Sequence, residues 1–435
     1  MNTLFINAKI LTMCTSEATL IEGAVGIVGQ HIALVSDQVA RIEAFKASHA
    51  DARVVDCKGK LLMPGLINLH THVPMSLQRN SGDDIELMQW LNELVWPFEA
   101  RQDDDDIEAG TRLGIAEMLL GGTTTFVDMY WSEPRIAKVC EQMGIRALLG
   151  QSFFEPSMEL STKHLAELVE VTKGSSRIRP AVAPHAPYTC PPAVLESCVA
   201  MAKEYDLPLI IHLDEAPSEH GIIAERYDGL SPTEYIDKYG VLTPSTILAH
   251  CIHLLPSDIQ ILAERGSHVA YNPQCNMKIA NGMASISEYQ KAGINCGVGT
   301  DGVCSNNDLD MWDEMRTGAF LQKLATGNAT TIPAYKMLEM VTVCGAKALG
   351  MEGKLGVISE GALADIIVVD TSRPHYRPMH NIASALVYCG KAADISTVMV
   401  DGIILVDNFK LLHEDIEAIC SDVERRSARI FEQMK

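Results

Sequence analysis

The chain has 435 residues, of which 47% are apolar and 21% charged, close to the averages for soluble globular proteins. This composition excludes a disordered, collagen-like or coiled-coil chain and allows about three domains, or fewer if one is a large α/β barrel. The net charge of −21 argues against nucleic acid and anionic membranes as partners, because long-range repulsion would oppose each encounter.

Short β-branched segments with turn residues between them open the chain and return near its end. The early segments are residues 3–10, 23–29, 32–35 and 54–56, and the late ones are residues 364–370, 395–400 and 402–406. They predict a small β-sandwich domain formed from both chain ends, residues 1–60 and residues 356–435, with a terminal helix in the second part.

Eight apolar runs separated by helix-like stretches fill the middle of the chain. The runs are residues 65–72, 123–129, 146–151, 178–183, 208–212, 246–250, 269–272 and 294–300. Alternation of this kind favours a (β/α)8 TIM-like barrel over an open sheet, and we place it at residues 61–355. Predicted helices include residues 107–120 after the acidic run 103–106, residues 164–172 after Ser161, and residues 193–204 after Pro192.

No segment predicts membrane insertion or export. The uncharged residues 61–78 contain two prolines and two histidines and do not fit a bilayer span. Residues 1–13 carry one lysine and no pattern of a cleavable leader, so we expect a cytoplasmic protein. The 12 cysteines include no Cys-x-x-Cys pair and are expected to be reduced and mostly buried.

Polar residues end several of the apolar runs, and in barrels the chemistry lies at the carboxyl ends of the strands. His70 and His72 end the first run two residues apart, so both imidazoles point to the same side. His212 ends the fifth run, His250 ends the sixth, and Asp301 follows the eighth. Each residue alone has an ordinary structural explanation, but together they predict a site for a divalent transition metal.

Two further residues belong to the same predicted face. Glu215 follows His212 by three residues. His185 lies in the rigid segment Ala-Pro-His-Ala-Pro after the fourth run, where a substrate contact and a packing role are both open. Surface or packing roles are expected for a last group of histidines: His164, His220, His253, His268, His375 and His413.

Four motifs, taken in order, resemble those of a known superfamily. They are Met-Pro-Gly-Leu-Ile-Asn-Leu-His-Thr-His at 63–72, His-Leu-Asp-Glu at 212–215, Ala-His-Cys-Ile-His at 249–253 and Gly-Thr-Asp-Gly at 299–302. The set resembles the amidohydrolase superfamily, and most closely the 5-methylthioadenosine/S-adenosylhomocysteine deaminases and related chlorohydrolases. The resemblance covers nearly the whole chain and is less specific for the substrate than for the superfamily.

The resemblance implies a metal site with His70, His72, His212 and Asp301 as protein ligands. Many binuclear members bridge two metals with a modified lysine at the end of the fourth strand, and residues 178–185 contain no lysine. We therefore expect one divalent metal per chain, Zn²⁺ or alternatively Fe²⁺.

The resemblance also implies a hydrolytic deaminase that releases ammonia from an adenosine-type nucleoside. Glu215 would move protons to the ring nitrogen and then to the leaving amine. His250 would orient the water and, with Asp301, take up its proton. The sequence leaves open whether His250 is a metal ligand or lies just outside the ligand set.

Substrate contacts are implied for a further set of residues: Trp90, Glu99, Gln151, His185 and Ser305. Glu99 matches a glutamate that binds ribose hydroxyls, with a surface position on a helix as the alternative. Gln151 stands where an arginine for the homocysteine carboxylate is expected, and no arginine occurs between residues 146 and 177. We therefore expect 5-methylthioadenosine, adenosine and 5-deoxyadenosine to be better substrates than S-adenosylhomocysteine. This order would change if another subunit or a distant loop supplied an arginine, and the candidates in this chain are Arg177, Arg179 and Arg226.

Two alternatives to this function stay open at the level of sequence. One is a different ring substrate in the same site, such as guanine, a pterin, cytosine or a chlorinated triazine. The other is a catalytically silent metal-binding scaffold, against which the presence of Glu215 argues. The expected partners are a small-molecule nucleoside and further copies of the chain in a homo-oligomer, and neither nucleic acid nor membrane is expected.

Overall fold

The computed structural model describes residues 2–85 and 87–435. The first part of the chain forms five strands and one helix. They are β1 (Asn2–Leu11), β2 (Leu20–Val28), β3 (His31–Ser36), α1 (Val39–Ser48), β4 (Arg53–Asp56) and β5 (Leu61–Pro64). The four early strands predicted from the sequence are confirmed. Helix α1 was not predicted, because Phe45 is its one buried residue and a single apolar position gives no helical period.

The middle of the chain forms eight strands, and each corresponds to one predicted apolar run. They are β6 (Leu66–Thr71), β7 (Thr123–Tyr130), β8 (Arg146–Phe153), β9 (Ile178–Pro184), β10 (Ile210–Leu213), β11 (Ile247–His250), β12 (His268–Tyr271) and β13 (Asn295–Val298). Strands β6 to β9 form one parallel four-stranded sheet and β10 to β13 form another. With helices between the strands, this is a TIM-barrel-like α/β arrangement.

Helices and short helical turns connect these strands. They are α2 (Leu87–Trp90), α3 (Trp96–Glu99), α4 (Asp104–Leu120), α5 (Glu133–Met143), α6 (Met158–Val171), α7 (Pro192–Tyr205), α8 (Glu219–Arg226), α9 (Pro232–Lys238), α10 (Pro256–Arg265), α11 (Pro273–Lys278), α12 (Ile286–Lys291), α13 (Met311–Thr326), α14 (Ala334–Met340) and α15 (Val343–Ala348), with tighter or wider turns at Val73–Gln78, Leu91–Val95 and Glu155–Ser157.

Two of the predicted helix starts, those of α4 and α6, can be compared with the starts in the structure. Helix α4 begins at Asp104 after Asp103, whose carboxylate accepts from the Asp106 N–H at 3.0 Å, while the Asp106 carboxylate accepts from the Asp103 N–H. This reciprocal cap explains the acidic run. The predicted start of α6 was wrong, because the helix begins at Met158, directly after a helical turn that includes Pro156, and Ser161 lies inside it.

The last part of the chain adds four strands and two helices. They are β14 (Ile366–Val369), α16 (Ile382–Cys389), β15 (Ile395–Val400), β16 (Ile403–Asp407), β17 (Lys410–Leu411) and α17 (Ile416–Met434), with short helical turns at Pro374–Tyr376 and Ala392–Asp394. Strand β5 pairs with β1 on one side and antiparallel with β14 on the other. Both ends of the chain therefore share one nine-stranded mixed sheet, and a sandwich of two layers stays a prediction.

The two parallel sheets contact each other at both of their edges. Val182 on β9 forms a parallel bridge with Leu209, next to β10. On the other side the Asp301 N–H donates to the His70 carbonyl at 2.9 Å. A Cβ added to Gly299, directly after β13, would lie 2.7 Å from the His70 backbone nitrogen, so a glycine is needed for the chain to pass β6 this closely. The carboxyl ends of β6 and β13 consequently lie side by side.

Side chains of the parallel strands alternate between two buried clusters, as the period of two requires. One cluster contains Ile67, Leu69, Val127, Leu148 and Ile210. The residues next to them on the same strands pack in a larger cluster, which contains Leu66, Phe126, Ala147, Leu149 and Ile211. This second cluster also includes helix residues such as Ile115 and Leu195. The strands are thus covered on both faces.

A buried ion-pair network connects β8 to the mixed sheet. The Arg146 guanidinium is 3% exposed and donates to Asp365 at 2.8 and 2.9 Å and to Asp401 at 3.0 Å.

All 12 cysteines are unpaired, and eight of them are buried, as predicted. Within the described residues no helix combines the length and apolar character needed to cross a bilayer.

Candidate metal centre and active site

Three histidines from the two parallel sheets meet at the carboxyl ends of their strands. His70 lies near the end of β6 and His72 directly after it, while His212 lies on β10. The ring centroids are 4.9 Å apart for His70 and His72, 4.9 Å for His70 and His212, and 5.2 Å for His72 and His212. The structure thus brings together the three histidines that the sequence placed at the ends of the first and fifth runs, and their role as metal ligands stays a prediction.

Backbone carbonyls fix the orientation of two of these rings. The Nδ1 atom of His72 lies 2.6 Å from the Met129 carbonyl, and that of His212 lies 2.8 Å from the His185 carbonyl. Because a carbonyl accepts a hydrogen bond, each Nδ1 carries a proton, and Nε2 is the nitrogen of each ring that is left to face the cluster. The two Nε2 atoms are 3.3 Å apart, so they are directed at a common space.

Asp301 adds a carboxylate to the three imidazoles. Its Oδ1 lies 3.4 Å from His70 Nε2 and 3.2 Å from His72 Nε2. Its Oδ2 accepts from the Cys275 thiol and from the Ser305 hydroxyl, each at 2.8 Å. The two donors hold one oxygen of Asp301 and leave the other facing the histidines.

The residues of this cluster fit a divalent metal cation. His70 is fully buried and neither ring nitrogen has a hydrogen-bond partner among the described residues. Burial lowers the pKa of His70 to about 4, which keeps it neutral, the form that binds a metal. Burial opposes a charge on His72, but the carboxylate of Asp301, 3.2 Å from His72 Nε2, outweighs it and raises the pKa of His72 to about 9. The same atoms would exchange that proton for a metal cation.

Left-handed backbone conformations occur at residues that follow or end three of the strands. The φ angles are 50° at Asp214, 71° at His250 and 64° at Asp301. Such angles are unfavourable for residues other than glycine and cluster at functional sites. The conformations turn the chain sharply after β10, β11 and β13, where the functional side chains lie.

Glu215 and His250 lie next to the histidine cluster. The Glu215 carboxylate is 3.9 Å from His250 Nε2, and the ligand-type atoms of Glu215, His250, Cys275 and Asp301 all lie within 4.8 Å of one another. The His250 Nδ1 atom is 2.9 Å from the Asn276 side-chain oxygen, which directs Nε2 towards the cluster. Burial raises the pKa of Glu215, so this carboxyl holds a proton more readily than an exposed one.

Glu99 is not a free surface residue. It ends α3, is partly buried, and accepts a hydrogen bond from the Tyr130 hydroxyl at 2.7 Å. Tyr130 ends β7, so this contact fixes Glu99 at the carboxyl end of a strand next to β6. Trp90 is 7% exposed and packs against Gly82, in the segment that precedes Glu99. Nothing in the sequence singles out Tyr130, which directly follows the predicted run 123–129.

The other predicted substrate residues have defined partners. His185 has its ring centroid 5.0 Å from that of His212, and its Nδ1 lies 2.9 Å from the Thr189 hydroxyl. Ser305 donates to Asp301, as described above, and so contacts a predicted ligand. Gln151 on β8 is fully buried, and its amide nitrogen donates to the Trp131 carbonyl at 3.1 Å. The Gln151 side-chain oxygen has no hydrogen-bond partner among the described residues.

The three arginines considered for the homocysteine carboxylate lie in different places. Arg177 and Arg179 flank the start of β9, at the end of the strand opposite to the site, and they bond to Glu141 and to the Leu349 carbonyl. Arg226 ends α8 and donates to the Tyr188 carbonyl at 2.9 Å. Tyr188 is a ring neighbour of His185, so Arg226 is the arginine of this group that lies near the site.

Comparison with known proteins identifies the family. The sequence profile of the amidohydrolase family matches residues 61–405. A 5-methylthioadenosine/S-adenosylhomocysteine deaminase of Desulforamulus reducens is 39% identical over 435 residues, which cover 99% of both chains.

Solved structures agree with this result. An adenosine deaminase of Xanthomonas campestris with bound zinc superposes with a TM-score of 0.92 at 32% identity, over 99% of this chain and 98% of that one. The atrazine chlorohydrolase of Arthrobacter aurescens, complexed with zinc, gives a TM-score of 0.88 at 25% identity, over 98% and 100% of the two chains. The chain thus belongs to the amidohydrolase family and, within it, to the group of the 5-methylthioadenosine/S-adenosylhomocysteine deaminases.

Proposed function

We propose that the protein is a metal-dependent hydrolytic deaminase that converts an adenosine-type nucleoside to its inosine analogue and ammonia. The observation that carries this proposal is the position of Glu215, a buried carboxyl group beside the cluster of three histidines and Asp301. A metal site that only stabilised the fold would need no proton donor at this place. The names of the relatives, a 5-methylthioadenosine/S-adenosylhomocysteine deaminase and a zinc-containing adenosine deaminase, support the same chemistry.

Four residues would hold one divalent cation: His70, His72, His212 and Asp301. When bound, such a cation lowers the pKa of a water molecule from about 15.7 towards about 7. Strand β9 contains no lysine that could be modified to bridge a second metal, which supports a single ion. The zinc in the two structural neighbours supports Zn²⁺ as its identity.

Proton transfers would be divided between Glu215 and His250. The His250 Nε2 atom, held by the contact of Nδ1 with Asn276, orients the attacking water and, with Asp301, accepts its proton. Glu215 donates a proton to the ring nitrogen as the water adds to the carbon that bears the amine. It then takes up the second proton of the added water as the carbonyl forms and passes it to the leaving amine. The first proton of the water returns from His250 and Asp301 to Glu215, whose carboxylate is 3.9 Å from His250 Nε2, and this restores the starting state. One water is consumed and one ammonia is released, so the reaction needs no other co-reactant.

Recognition of the sugar would fall to Glu99. Its carboxylate, held by Tyr130, accepts hydrogen bonds from the two ribose hydroxyls, and Trp90, His185 and Ser305 complete the contacts to the nucleoside. Gln151 offers a neutral amide where a carboxylate-bearing tail would need a cation. We therefore infer a preference for adenosine, 5-methylthioadenosine or 5-deoxyadenosine over S-adenosylhomocysteine.

The architecture that positions these groups would be a closed (β/α)8 barrel at residues 61–355. The bridge between Val182 and Leu209 and the contact between Asp301 and His70 support closure at the two edges. Residues 1–60 and 356–435 would form most of the separate β domain, to which β5 (Leu61–Pro64) adds a strand between β1 and β14. Homo-oligomers are expected.

A panel of substrates tests the proposal. Ammonia release is measured for zinc-loaded protein with adenosine, 5-methylthioadenosine, 5-deoxyadenosine, S-adenosylhomocysteine, adenine, guanine, cytosine and a chlorinated triazine. We expect the highest kcat/KM among the adenosine-type nucleosides. A clear preference for a free base, or chloride release from the triazine, would assign the site to another ring substrate. If none of the compounds released ammonia or chloride, the result would favour the catalytically silent metal-binding scaffold.

A further inference from the structure

The loop that carries Glu215 is held by the first turn of the helix that follows it. Helix α8 begins with Glu219, which is 1% exposed. Its carboxylate accepts from three successive backbone N–H groups, those of Asp214 at 3.2 Å, Glu215 at 2.9 Å and Ala216 at 3.1 Å. The side chain therefore points back onto the loop rather than into solvent.

The next residue of the same turn contacts the same loop. His220 Nε2 lies 3.1 Å from a carboxylate oxygen of Asp214 and 2.9 Å from the His253 carbonyl. Asp214 is fully buried and has the left-handed φ of 50°. Glu219 thus binds the backbone of the loop, while His220 binds the side chain of its first residue.

Burying Glu219 is unfavourable by itself. An acidic residue in the first turn of a helix usually remains exposed, where it complements the helix dipole at little desolvation cost. Here burial raises the pKa of Glu219 to about 8, against the opposing effect of the N–H donors. A buried acidic side chain is retained at this place although an exposed one would serve the helix equally well, and its three backbone contacts point to a role in holding the loop.

We propose that Glu219 is a positioning residue that fixes the backbone of residues 214–216, so that the Glu215 carboxyl stays beside His250 and Asp301. The inference rests on the proposed deaminase function, in which Glu215 moves protons. It assigns Glu219 no contact with substrate or metal. Its effect on the reaction comes through the place and orientation of Glu215, and a displacement of about 1 Å is enough to lower a rate by up to roughly 100-fold.

The variant Glu219→Gln tests this role. It keeps the size of the side chain, but its amide group has one accepting oxygen. One carboxyl oxygen of Glu219 accepts from the Glu215 and Ala216 N–H groups and the other from the Asp214 N–H, so in the variant the amide nitrogen must face at least one N–H donor. We expect kcat to fall roughly 10- to 100-fold, as for other residues that orient a catalytic group, with KM and metal content unchanged. Glu225→Gln, on the exposed side of the same helix, is the matched control and should leave kcat unchanged.

Ligand binding separates positioning from a general loss of structure. Purine ribonucleoside adds water at the ring carbon and then imitates the tetrahedral intermediate, so its tight binding depends on a proton donor at the ring nitrogen. The binding of inosine, the product, depends on that donor much less. Glu219→Gln should weaken binding of the first by about the same factor as kcat and leave binding of inosine unchanged. Equal weakening of both ligands, or an unchanged kcat in the folded variant, would overturn the proposal.

Hydrogen exchange makes the outcome independent of the substrate. The amide hydrogens of residues 214–216 should exchange faster in Glu219→Gln than in the wild type, and unchanged exchange at all three would contradict the role of Glu219 even if no substrate is found. If Glu219→Gln does not fold, Glu219→Asp keeps the charge and shortens the reach by one methylene. It should lower kcat with metal retained, and full activity in this variant would overturn the proposal. Failure of the proposed function is distinct, because the wild type would then release no ammonia.

Discussion

At the scale of single residues, the histidine cluster contains polar atoms that lack partners in the protein alone. The two nitrogens of His70 and one oxygen of Asp301 have no hydrogen-bond partner among the described residues. A buried polar group without a partner costs about 1–3 kcal/mol. Metal binding would remove this cost, so the stability of the protein should depend on the metal.

The first prediction concerns the metal, and it is tested by comparing a variant of a predicted ligand with a variant of a histidine outside the cluster. Purified protein should contain about one zinc or iron per chain, and chelation should lower both its Tm and its activity. His70→Gln should lose metal, while His413→Gln, at an exposed position, should keep it. Metal analysis with thermal unfolding checks this, and either two metals per chain or full activity after chelation would contradict it.

Glu215→Gln should separate chemistry from folding. The amide cannot transfer protons, so kcat should fall by roughly 10²–10⁴ or more, as is usual for a lost general acid–base group. Metal content and Tm should remain those of the wild type, because Glu215 is not assigned as a ligand. Near-normal turnover by this variant would reject the role of Glu215 in proton transfer.

The contact between Glu99 and Tyr130 leads to a prediction about the sugar. A site built to bind hydroxyls rejects a ligand that lacks them, because its polar groups are then left unpaired. Wild-type protein should prefer adenosine to adenine, and Glu99→Ala should narrow that gap. Tyr130→Phe should act in the same direction but less strongly, since it removes only the group that holds Glu99. Equal kcat/KM for adenine and adenosine in the wild type would remove Glu99 from the site.

Gln151 leads to a prediction about the substituent on the sugar. Without a cation at this position, a charged tail gains little and meets the field of an acidic protein. The kcat/KM for 5-methylthioadenosine or adenosine should exceed that for S-adenosylhomocysteine in competing-substrate kinetics. If S-adenosylhomocysteine is preferred instead, Arg226→Gln tells whether that arginine supplies the missing charge, since it lies near His185.

At the scale of elements, the acidic run before α4 has a second role besides capping. The Asp106 carboxylate is fully buried and accepts from Arg426 at 3.0 Å and also from Arg429, both on α17. Phe431 on α17 packs near Phe98, with ring centroids 5.0 Å apart. The terminal helix is thereby attached to α4 and to the segment that ends in Glu99.

Asp106→Asn should weaken this attachment. It removes the charge that pairs with two arginines and disturbs the reciprocal cap, so the free energy of unfolding should fall by roughly 1–3 kcal/mol. Asp105→Asn, exposed on the same turn, should change it by less than about 0.5 kcal/mol. Urea denaturation of the two variants measures the difference, and equal stabilities would contradict the importance of the ion pairs.

The sequence predicted those elements and residues whose signals are local. Apolar runs located all eight parallel strands, and polar residues at their ends located His70, His212 and Asp301. Cys275, Tyr130 and Glu219 could not be found in this way, because each acts through a partner that only the folded chain brings near. His220 was assigned to packing or the surface, since nothing in the sequence places it against Asp214.

At the scale of the whole molecule, the site lies where the two parallel sheets meet. Strand β6 of the first sheet brings His70, and His72 follows it directly. His212, His250 and Asp301 come from the second sheet or from residues that follow its strands. Neither sheet alone carries the full set of predicted ligands. The predicted metal site therefore depends on the packing of the two sheets, and a bound ion would stabilise that packing.

The position of β5 in the mixed sheet has a consequence for synthesis on the ribosome. β5 pairs on one side with β1, but its other neighbour, β14, begins at Ile366. During translation the edge of β5 that will pair with β14 therefore remains unpaired until most of the chain has been made. An open strand edge is a template for association with other chains. Nascent chains that stall or are cleaved before β14 should aggregate, whereas chains completed through β14 can close that edge within the same molecule.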